Sequence, residues 1–277
     1  MLVFPNSKIN LGLHVIEKRE DGFHNIETVF CPVKWCDALE VIENKESKED
    51  FILTFSGTKI IGALETNLIF RAWKLIRERK EVPAVRVHLH KNIPMGAGLG
   101  GGSSDAAFFI NLMNNAFDLR FSWEEKIDMG SQLGSDCSFF IKNKTCFASG
   151  KGNELSDINV DLSTYYILLV YTNKNSNTRE AYEGLIPKKH NPNLRNIFNT
   201  YRIGDWKNVL TNDFETSIFK RYPEIENLKK LIYDSGAIYA SMSGSGSSVF
   251  GIFKEEPSIL LPTSYQHCLQ KPLAKVL

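Results

Sequence analysis

Neither sign of charge is in excess in this 277-residue sequence: 33 Lys+Arg oppose 32 Asp+Glu and leave a formal net charge of +1. Without a basic surplus there is no electrostatic case for a nucleic-acid partner or for an anionic membrane. Long apolar runs are missing too, none approaching the ~18 residues that a membrane-spanning helix requires. The opening Met1-Leu-Val-Phe-Pro-Asn-Ser-Lys8 lacks the basic start and apolar stretch of a secretory leader and is not Arg/Ser-rich like a transit peptide. The expected compartment is therefore the cytoplasm. Cysteine is scarce: Cys31, Cys36, Cys137, Cys146 and Cys268 make an odd total of five with no C-x-x-C pair. That argues against a disulfide framework or a cysteine zinc site and for reduced, structural thiols. Repeats and low-complexity tracts are absent. Of the six histidines only His88 and His90 form a close pair, on one face of an expected strand. Two ligands without a third nearby make metal binding the weaker reading there and a solvated strand face the stronger.

What is present fits an ordinary globular chain, with 43% apolar and 23% charged residues and enough length for one large or two smaller domains. Ser7–Val15, Phe51–Phe55, Val85–Lys91, Tyr165–Tyr171, Ala237–Met242 and Ser248–Phe253 read as strands. Asn67–Lys80 has helical apolar spacing, Ser103–Phe117 reads as a buried helix, and Ser122-Trp-Glu-Glu125 has capping-box spacing. Pro223–Ser235 opens on proline and ends before Gly236, a normal helix start and stop. The polar stretch Lys151–Ser163 is the expected domain junction. Strands and helices mix without a regular βαβ alternation, which favours an α+β fold.

The most informative segment is Lys91-Asn-Ile-Pro-Met-Gly-Ala-Gly-Leu-Gly-Gly-Gly-Ser-Ser-Asp105. Five of the 19 glycines fall between Gly96 and Gly102. Glycines there permit positive φ and let backbone N–H groups face one hollow. Ser103 or Ser104 is expected to cap the helix that follows, whose N-terminus favours an anion. The segment reads as a phosphate cradle in preference to a plain flexible turn. A dinucleotide site fits poorly, because no acid ending a second strand follows about 20 residues later. A Walker loop fails because Gly102-Ser103 follow Gly101 where Lys-Ser/Thr would be needed. Asp21-Gly22 reads as a hairpin turn that delivers Phe23 and His24. On residue type alone Phe23 fits core packing better than base stacking.

Pro94-Met95-Gly96-Ala97-Gly98-Leu99-Gly100-Gly101-Gly102-Ser103-Ser104 resembles the nucleotide-binding signature of the GHMP kinases. Pro5–Leu11 and Ser243–Phe250 resemble further segments of that family, so the likeness spans essentially the whole chain. Lys8-x-Asn10-Leu11, Arg19–His24, Glu27-Thr28, Gly134–Phe140 and Asn177–Tyr182 are similar to one branch within it. The resemblance implies a two-domain GHMP kinase fold, ribosomal-protein-S5-like over 1–155 and ferredoxin-like over 156–277. It implies phosphorylation of the 2-hydroxyl of 4-diphosphocytidyl-2-C-methyl-D-erythritol by ATP, with Mg2+ carried on the nucleotide, in the non-mevalonate isoprenoid pathway. Lys8 and Asp136 would be catalytic, Lys8 lying close enough to keep Asp136 ionised. The loop Pro94–Ser104 would hold the phosphates, with Asn67 and Lys91 near the adenine. Asn10, Phe23, His24, Thr178 and Tyr182 would bind the cytidyl substrate, Phe23 and Tyr182 as two plates about the base and His24 on its edge.

Phe23 stands where that branch usually has tyrosine; stacking uses the ring face, so one hydroxyl contact is lost and base binding survives. Asn6 and Ser7 replace commoner residues and are read as neutral. Asp105 reads as a favourable acid in the first helical turn before it reads as a magnesium ligand, and no other protein ligand for a metal stands out. The expected assembly is a monomer or weak homodimer. Two other readings stay open: a family member acting on another small alcohol, and a nucleotide-binding protein without phosphoryl transfer.

Overall fold

The structure is a computed structural model that describes residues 1–45, 49–176 and 178–273. In chain order it contains β1 (Leu2–Val3), β2 (Asn6–Lys18), β3 (His24–Cys36), β4 (Ala38–Glu43), β5 (Phe51–Gly57), α1 (Leu68–Arg77), β6 (Val85–Lys91) and α2 (Gly101–Ala116). There follow α3 (Trp123–Leu133), α4 (Cys137–Lys142), β7 (Cys146–Ser149), β8 (Glu154–Asp157), β9 (Tyr166–Tyr171), α5 (Thr178–Tyr182), α6 (Leu194–Thr200) and α7 (Trp206–Val209). The chain ends with α8 (Glu215–Arg221), α9 (Pro223–Asp234), β10 (Tyr239–Met242), β11 (Val249–Phe253) and β12 (Gln266–Gln270). Two compact units share these elements. One gathers Met1–Ser7, Trp35–Pro94 and Gly100–Lys144; the other gathers Lys8–Lys34, Met95–Leu99 and Thr145–Leu277.

The first unit is a four-stranded sheet, order β1-β4-β6-β5, with helices α1 to α4. Its β5 and β6 are parallel and joined through α1, while the other pairs are antiparallel. The alternation of Val85–Lys91 buries Val85, Val87 and Leu89 and, at its end, Lys91. On the other face His88 and His90 share the Ser56 hydroxyl at 2.8 and 2.9 Å, and His88 also meets the Thr54 hydroxyl. Among the described residues no group of three His, Cys, Asp or Glu is placed to hold a metal. Helix α1 buries Ile69, Ala72, Trp73 and Ile76, the stripe its spacing dictates. Ser122 and Glu125 form the full capping box that starts α3. Helix α2 starts two residues before the expected Ser103. Its N-cap is Gly100, left-handed at φ 71° and without a side-chain cap, so neither Ser103 nor Ser104 caps it. The glycine run itself turns the chain into the helix, and a serine hydroxyl is not needed for the turn.

The second unit holds two sheets, β2-β3-β7-β8 and β10-β11-β9-β12. The second of these is antiparallel throughout and is covered by α9, whose Ile225, Leu228 and Ile232 cluster with Leu168, Val170, Ala240 and Val249. Pro223 is in the first turn of α9 and Gly236 follows it at φ 94°, as the sequence signals. The polar stretch 151–163 carries β8, which pairs antiparallel with β7 over Glu154–Asp157. All five cysteines are thiols, and burial raises the Cys31 pKa to about 11 and the Cys137 pKa to about 12. Among the described residues no helix is long and apolar enough to cross a membrane.

Candidate active site

Strand β2 is buried almost throughout, so its polar residues are held inside the second unit. Lys8 is 4% and Asn10 2% exposed, which sets Lys8 apart from the usual surface lysine. The Lys8 ammonium donates to Asn10 Oδ1 at 2.6 Å and lies 5.2 Å over the Phe30 ring. Asn10 Nδ2 donates to Thr28 Oγ1 at 2.9 Å, and Thr28 donates in turn to the Gly12 carbonyl at 2.6 Å. Two residues apart on one strand face, Lys8 and Asn10 thus form one ordered polar cluster. Thr28, whose place in it the sequence did not suggest, orients the Asn10 amide.

The glycine loop meets this cluster through its carbonyls. Lys8 N–H donates to Leu99 O at 3.0 Å, Ser248 N–H to Ala97 O at 3.1 Å, and Ser243 Oγ to Gly98 O at 2.9 Å. Ala97 and Leu99 are buried side chains, while Gly96 and Gly98 take φ of 65° and 75°. The alternation explains the pattern: small apolar residues anchor the loop and the glycines between them make its turns. Three successive carbonyls are consumed by the protein, and among the described residues no backbone carbonyl takes the N–H groups of Gly96–Leu99. Such a run of amides suits an anion. This loop lies directly against Ser243–Ser247, since a Cβ on Gly98 would lie 2.0 Å from Ser243 O.

That distance yields a prediction. Gly98→Ala is expected to destabilise the protein by about 1–3 kcal/mol through left-handed strain and backbone clash, and to lose protection by ATP. Gly22→Ala is the matched control, because Gly22 also has positive φ (82°) but nothing within 4 Å. Urea unfolding of both variants, with and without ATP, measures the difference; equal costs would show that the loop contact is unimportant.

The substrate-side residues also lie in the second unit. The Asp21-Gly22 turn closes with Arg19 N–H on Phe23 O at 2.8 Å and leaves Phe23 58% exposed, with the Lys151 ammonium 4.7 Å over its ring. Exposure decides against the core-packing reading of Phe23. The Tyr182 ring stacks on His24, centroids 4.2 Å apart, and meets Phe214 edge-on at 4.8 Å. One face of the Tyr182 ring is therefore covered by His24. Burial, then the nearby Lys18 charge, lowers the His24 pKa, favouring a neutral imidazole that offers one donor and one acceptor. Thr178 Oγ1 is 3.2 Å from Ser245 Oγ. Asn177 lies outside the described residues.

In the first unit, Asp136 is the N-cap residue of α4 and is half-buried. Asn67 is the N-cap of α1, its Oδ1 accepting from Ile69 N–H at 2.9 Å. Three expectations change here. Lys91 does not offer its side chain to adenine: it is 3% exposed and its ammonium binds Asp37 Oδ2 at 2.5 Å and Asp105 Oδ2 at 2.7 Å. Asp105, in the second turn of α2, is correspondingly committed to Lys91 and is neither a first-turn acid nor presented to a metal. Ser104 is fully buried, and its hydroxyl has no partner. Ser104 and Asp105 both lie on the buried face of α2, and Lys91 ends the buried face of β6. Ser103, half-buried, hydrogen-bonds Cys137, while Gly102 is exposed.

Comparison with known proteins adds to this geometry. The model for the GHMP kinases N terminal domain matches residues 67–144, and that for GHMP kinases C terminal matches 190–260. A 4-diphosphocytidyl-2-C-methyl-D-erythritol kinase of Bacteroides fragilis is 48% identical over 94% of each chain. One from Azobacteroides pseudotrichonymphae genomovar. CFP2 is 49% identical over 92% of this chain and 94% of its own. The crystal structure of a 4-(cytidine 5'-diphospho)-2C-methyl-D-erythritol kinase superposes with a TM-score of 0.74 at 27% identity, covering 91% of this chain and 90% of that one. By fold, family-model match and identity over nearly its whole length, the chain belongs to the GHMP kinase family, in the branch of the 4-diphosphocytidyl-2-C-methyl-D-erythritol kinases.

Proposed function

We infer that this chain transfers the γ-phosphoryl group of ATP to the 2-hydroxyl of 4-diphosphocytidyl-2-C-methyl-D-erythritol, a step in isoprenoid precursor synthesis. The observation that carries the reading is identity approaching one half, over more than nine-tenths of the chain, with relatives bearing that enzyme's name. The buried Lys8–Asn10–Thr28 cluster beside the loop Met95–Leu99 supports it. In the proposed mechanism the loop amides and the α2 N-terminus hold the phosphates. Asp136 accepts the hydroxyl proton as the new O–P bond forms and the bond from ADP to the γ-phosphorus breaks. Lys8 stabilises negative charge on the attacking oxygen and the transferring group, where positioning and charge do most of the catalysis. Asn10 and Thr178 orient the substrate, His24 reads the cytosine edge, and Phe23 and Tyr182 stack on the base once His24 leaves the Tyr182 face. Asn67 is proposed near the adenine.

Mg2+ is proposed to arrive on the phosphates of ATP as part of the co-substrate. Asp105 is bound to Lys91 and so is not offered to it, and no step is routed through a protein-held metal. The family-model spans fall on either side of residue 155, which supports 1–155 and 156–277 as the two domains. A monomer or weak homodimer in the cytoplasm completes the proposal.

A coupled ADP-release assay with the cytidyl substrate is expected to show turnover. Silence with it, alongside turnover of homoserine or mevalonate, would assign another acceptor. CDP is expected to raise the melting temperature, because a ligand that binds only the folded form stabilises it. No protection by CDP would remove the proposed base slot.

A further inference from the structure

The segment Asn212-Asp-Phe-Glu215 carries no motif that the sequence reading singled out, yet each of its polar residues is tied to the site strand or the site loop. Leu13 N–H donates to Thr211 O at 2.9 Å and Asp213 N–H to Leu13 O at 2.8 Å, so the segment runs alongside β2 just beyond Asn10. Asp213 Oδ2 takes Val15 N–H at 2.8 Å, and Glu215 Oε1 takes Met242 N–H at 2.9 Å. Asn212 is 3% exposed, and its Nδ2 donates to both Met242 O and Gly244 O, each at 2.9 Å. Its Oδ1 accepts Phe214 N–H at 3.0 Å. One planar group thus supplies two donors and one acceptor, a set that a carboxylate, a hydroxyl or an apolar isostere cannot reproduce.

What Asn212 holds is a point where three parts of the site come close together. Gly244 has φ 57°, and a Cβ there would lie 3.3 Å from Asn10 Oδ1, 3.3 Å from Gly98 O and 3.4 Å from Lys8 Nζ. A side chain on Gly244 would therefore crowd the lysine, the asparagine beside it and the phosphate-loop backbone at once, while the Gly244 carbonyl is held by Asn212. Ser243, its neighbour, closes the same loop onto Gly98 O. The geometry points to Asn212 as a positioning residue for phosphoryl transfer: its amide sets the height of the Ser243–Ser247 loop against Lys8 and the glycine loop, without touching a substrate. This rests on the kinase reading above.

The test compares Asn212→Asp, which keeps the shape, with Asn212→Ala. At pH 8 the carboxylate of Asn212→Asp would face two carbonyl oxygens, and on acidification, once protonated, it would regain one donor, since burial raises such a carboxyl. The expected result is a fall in kcat of about 30-fold or more for both variants in the folded state, with KM for the cytidyl substrate within about threefold, as for loss of preorganised positioning. Protection by CDP should persist, whereas protection by a non-hydrolysable ATP analogue should drop by about half or more. For Asn212→Asp, kcat relative to the parent should recover between pH 8 and pH 6, a change that general loosening would not produce. If kcat stays within about threefold of the parent, or falls only in step with the unfolded fraction measured by circular dichroism, the proposal is overturned. Should the parent fail on the cytidyl substrate, the acceptor assignment falls, and the ATP-analogue arm still decides the role of Asn212.

Discussion

Replacing Lys8 by methionine is expected to lower kcat by about 10²–10³-fold, the usual loss when one preorganised charge-stabilising donor is removed. The reason lies in its burial. An ammonium 4% exposed, donating to Asn10 at 2.6 Å, acts through a medium of low effective dielectric, where its field on a transferring phosphoryl group is little screened. Methionine keeps the volume and removes the charge, so a folded, CDP-binding and catalytically weak protein is the expected product. Lys8→Arg is not expected to restore activity, since the planar guanidinium is longer and matches neither the Asn10 amide nor the space over Phe30. Asp136→Asn should lower kcat by about 10²–10⁴-fold as a general base is lost. If the two residues serve one step, the double variant should lose about as much as the worse single one, because groups acting as a unit are not additive. Steady-state kinetics with thermal melts of all four proteins provides the measurement. Lys8→Met retaining kcat within about tenfold would remove Lys8 from the chemistry.

Much of this was readable in the residues because each signal is local. The strict alternation of Val85–Lys91 gives β6, the Ser122/Glu125 pair gives the start of α3, and Pro223 with Gly236 bounds α9. The i, i+2 spacing of Lys8 and Asn10 on a strand puts them on one face, and the resemblance adds their roles. What was not readable depends on long-range partners. Lys91 looks like a surface or nucleotide-facing lysine until Asp37, 54 positions away, and Asp105 are seen on its ammonium. Tyr182 and His24 stack across 158 residues of sequence, which no periodicity encodes. Asn212 is silent for the same reason, since its partners Met242 and Gly244 lie 30 and 32 positions on. The start of α2 was misplaced because a serine is a good cap by propensity, whereas a glycine able to enter the left-handed region ended the loop earlier.

Lys91→Met is expected to destabilise the protein by about 3–5 kcal/mol, the cost of removing one partner from a buried ionic group. The Asp37 and Asp105 carboxyl groups would then face each other without their shared ammonium. They are not equivalent. Asp37 Oδ1 accepts the N–H groups of Asn92 and Ile93 at 2.6 and 2.7 Å and its Oδ2 takes Lys91, so its negative charge is fully hydrogen-bonded. Asp105 Oδ2 takes Lys91 and the carboxyl group also meets that of Asp37, while its buried Oδ1 has no partner among the described residues. Burial, only partly offset by Lys91, raises the Asp105 pKa to about 8, which favours the protonated carboxyl near neutral pH and moves the triad towards charge balance. The sign of the pH effect follows. The folded state binds this proton more tightly than the unfolded chain, whose aspartate titrates near the ordinary 3.8. The contribution is therefore fully present below about pH 4, declines between about pH 4 and 8, and is flat above that range. Asp105→Asn keeps the carbonyl that accepts from Lys91, places an uncharged amide where the proton sits, and removes the titration. Its stability relative to the parent should thus rise steadily from pH 5 to pH 8.5, reaching or passing the parent at the alkaline end, while Asp105→Ala, which leaves Lys91 with Asp37 alone and opens a cavity, should be weaker throughout. Urea unfolding midpoints at four pH values across that range provide the reading. A constant difference between Asp105→Asn and the parent would mean that Asp105 is already ionised at pH 5, and that the interior of this unit holds a net negative charge in place of the shared proton.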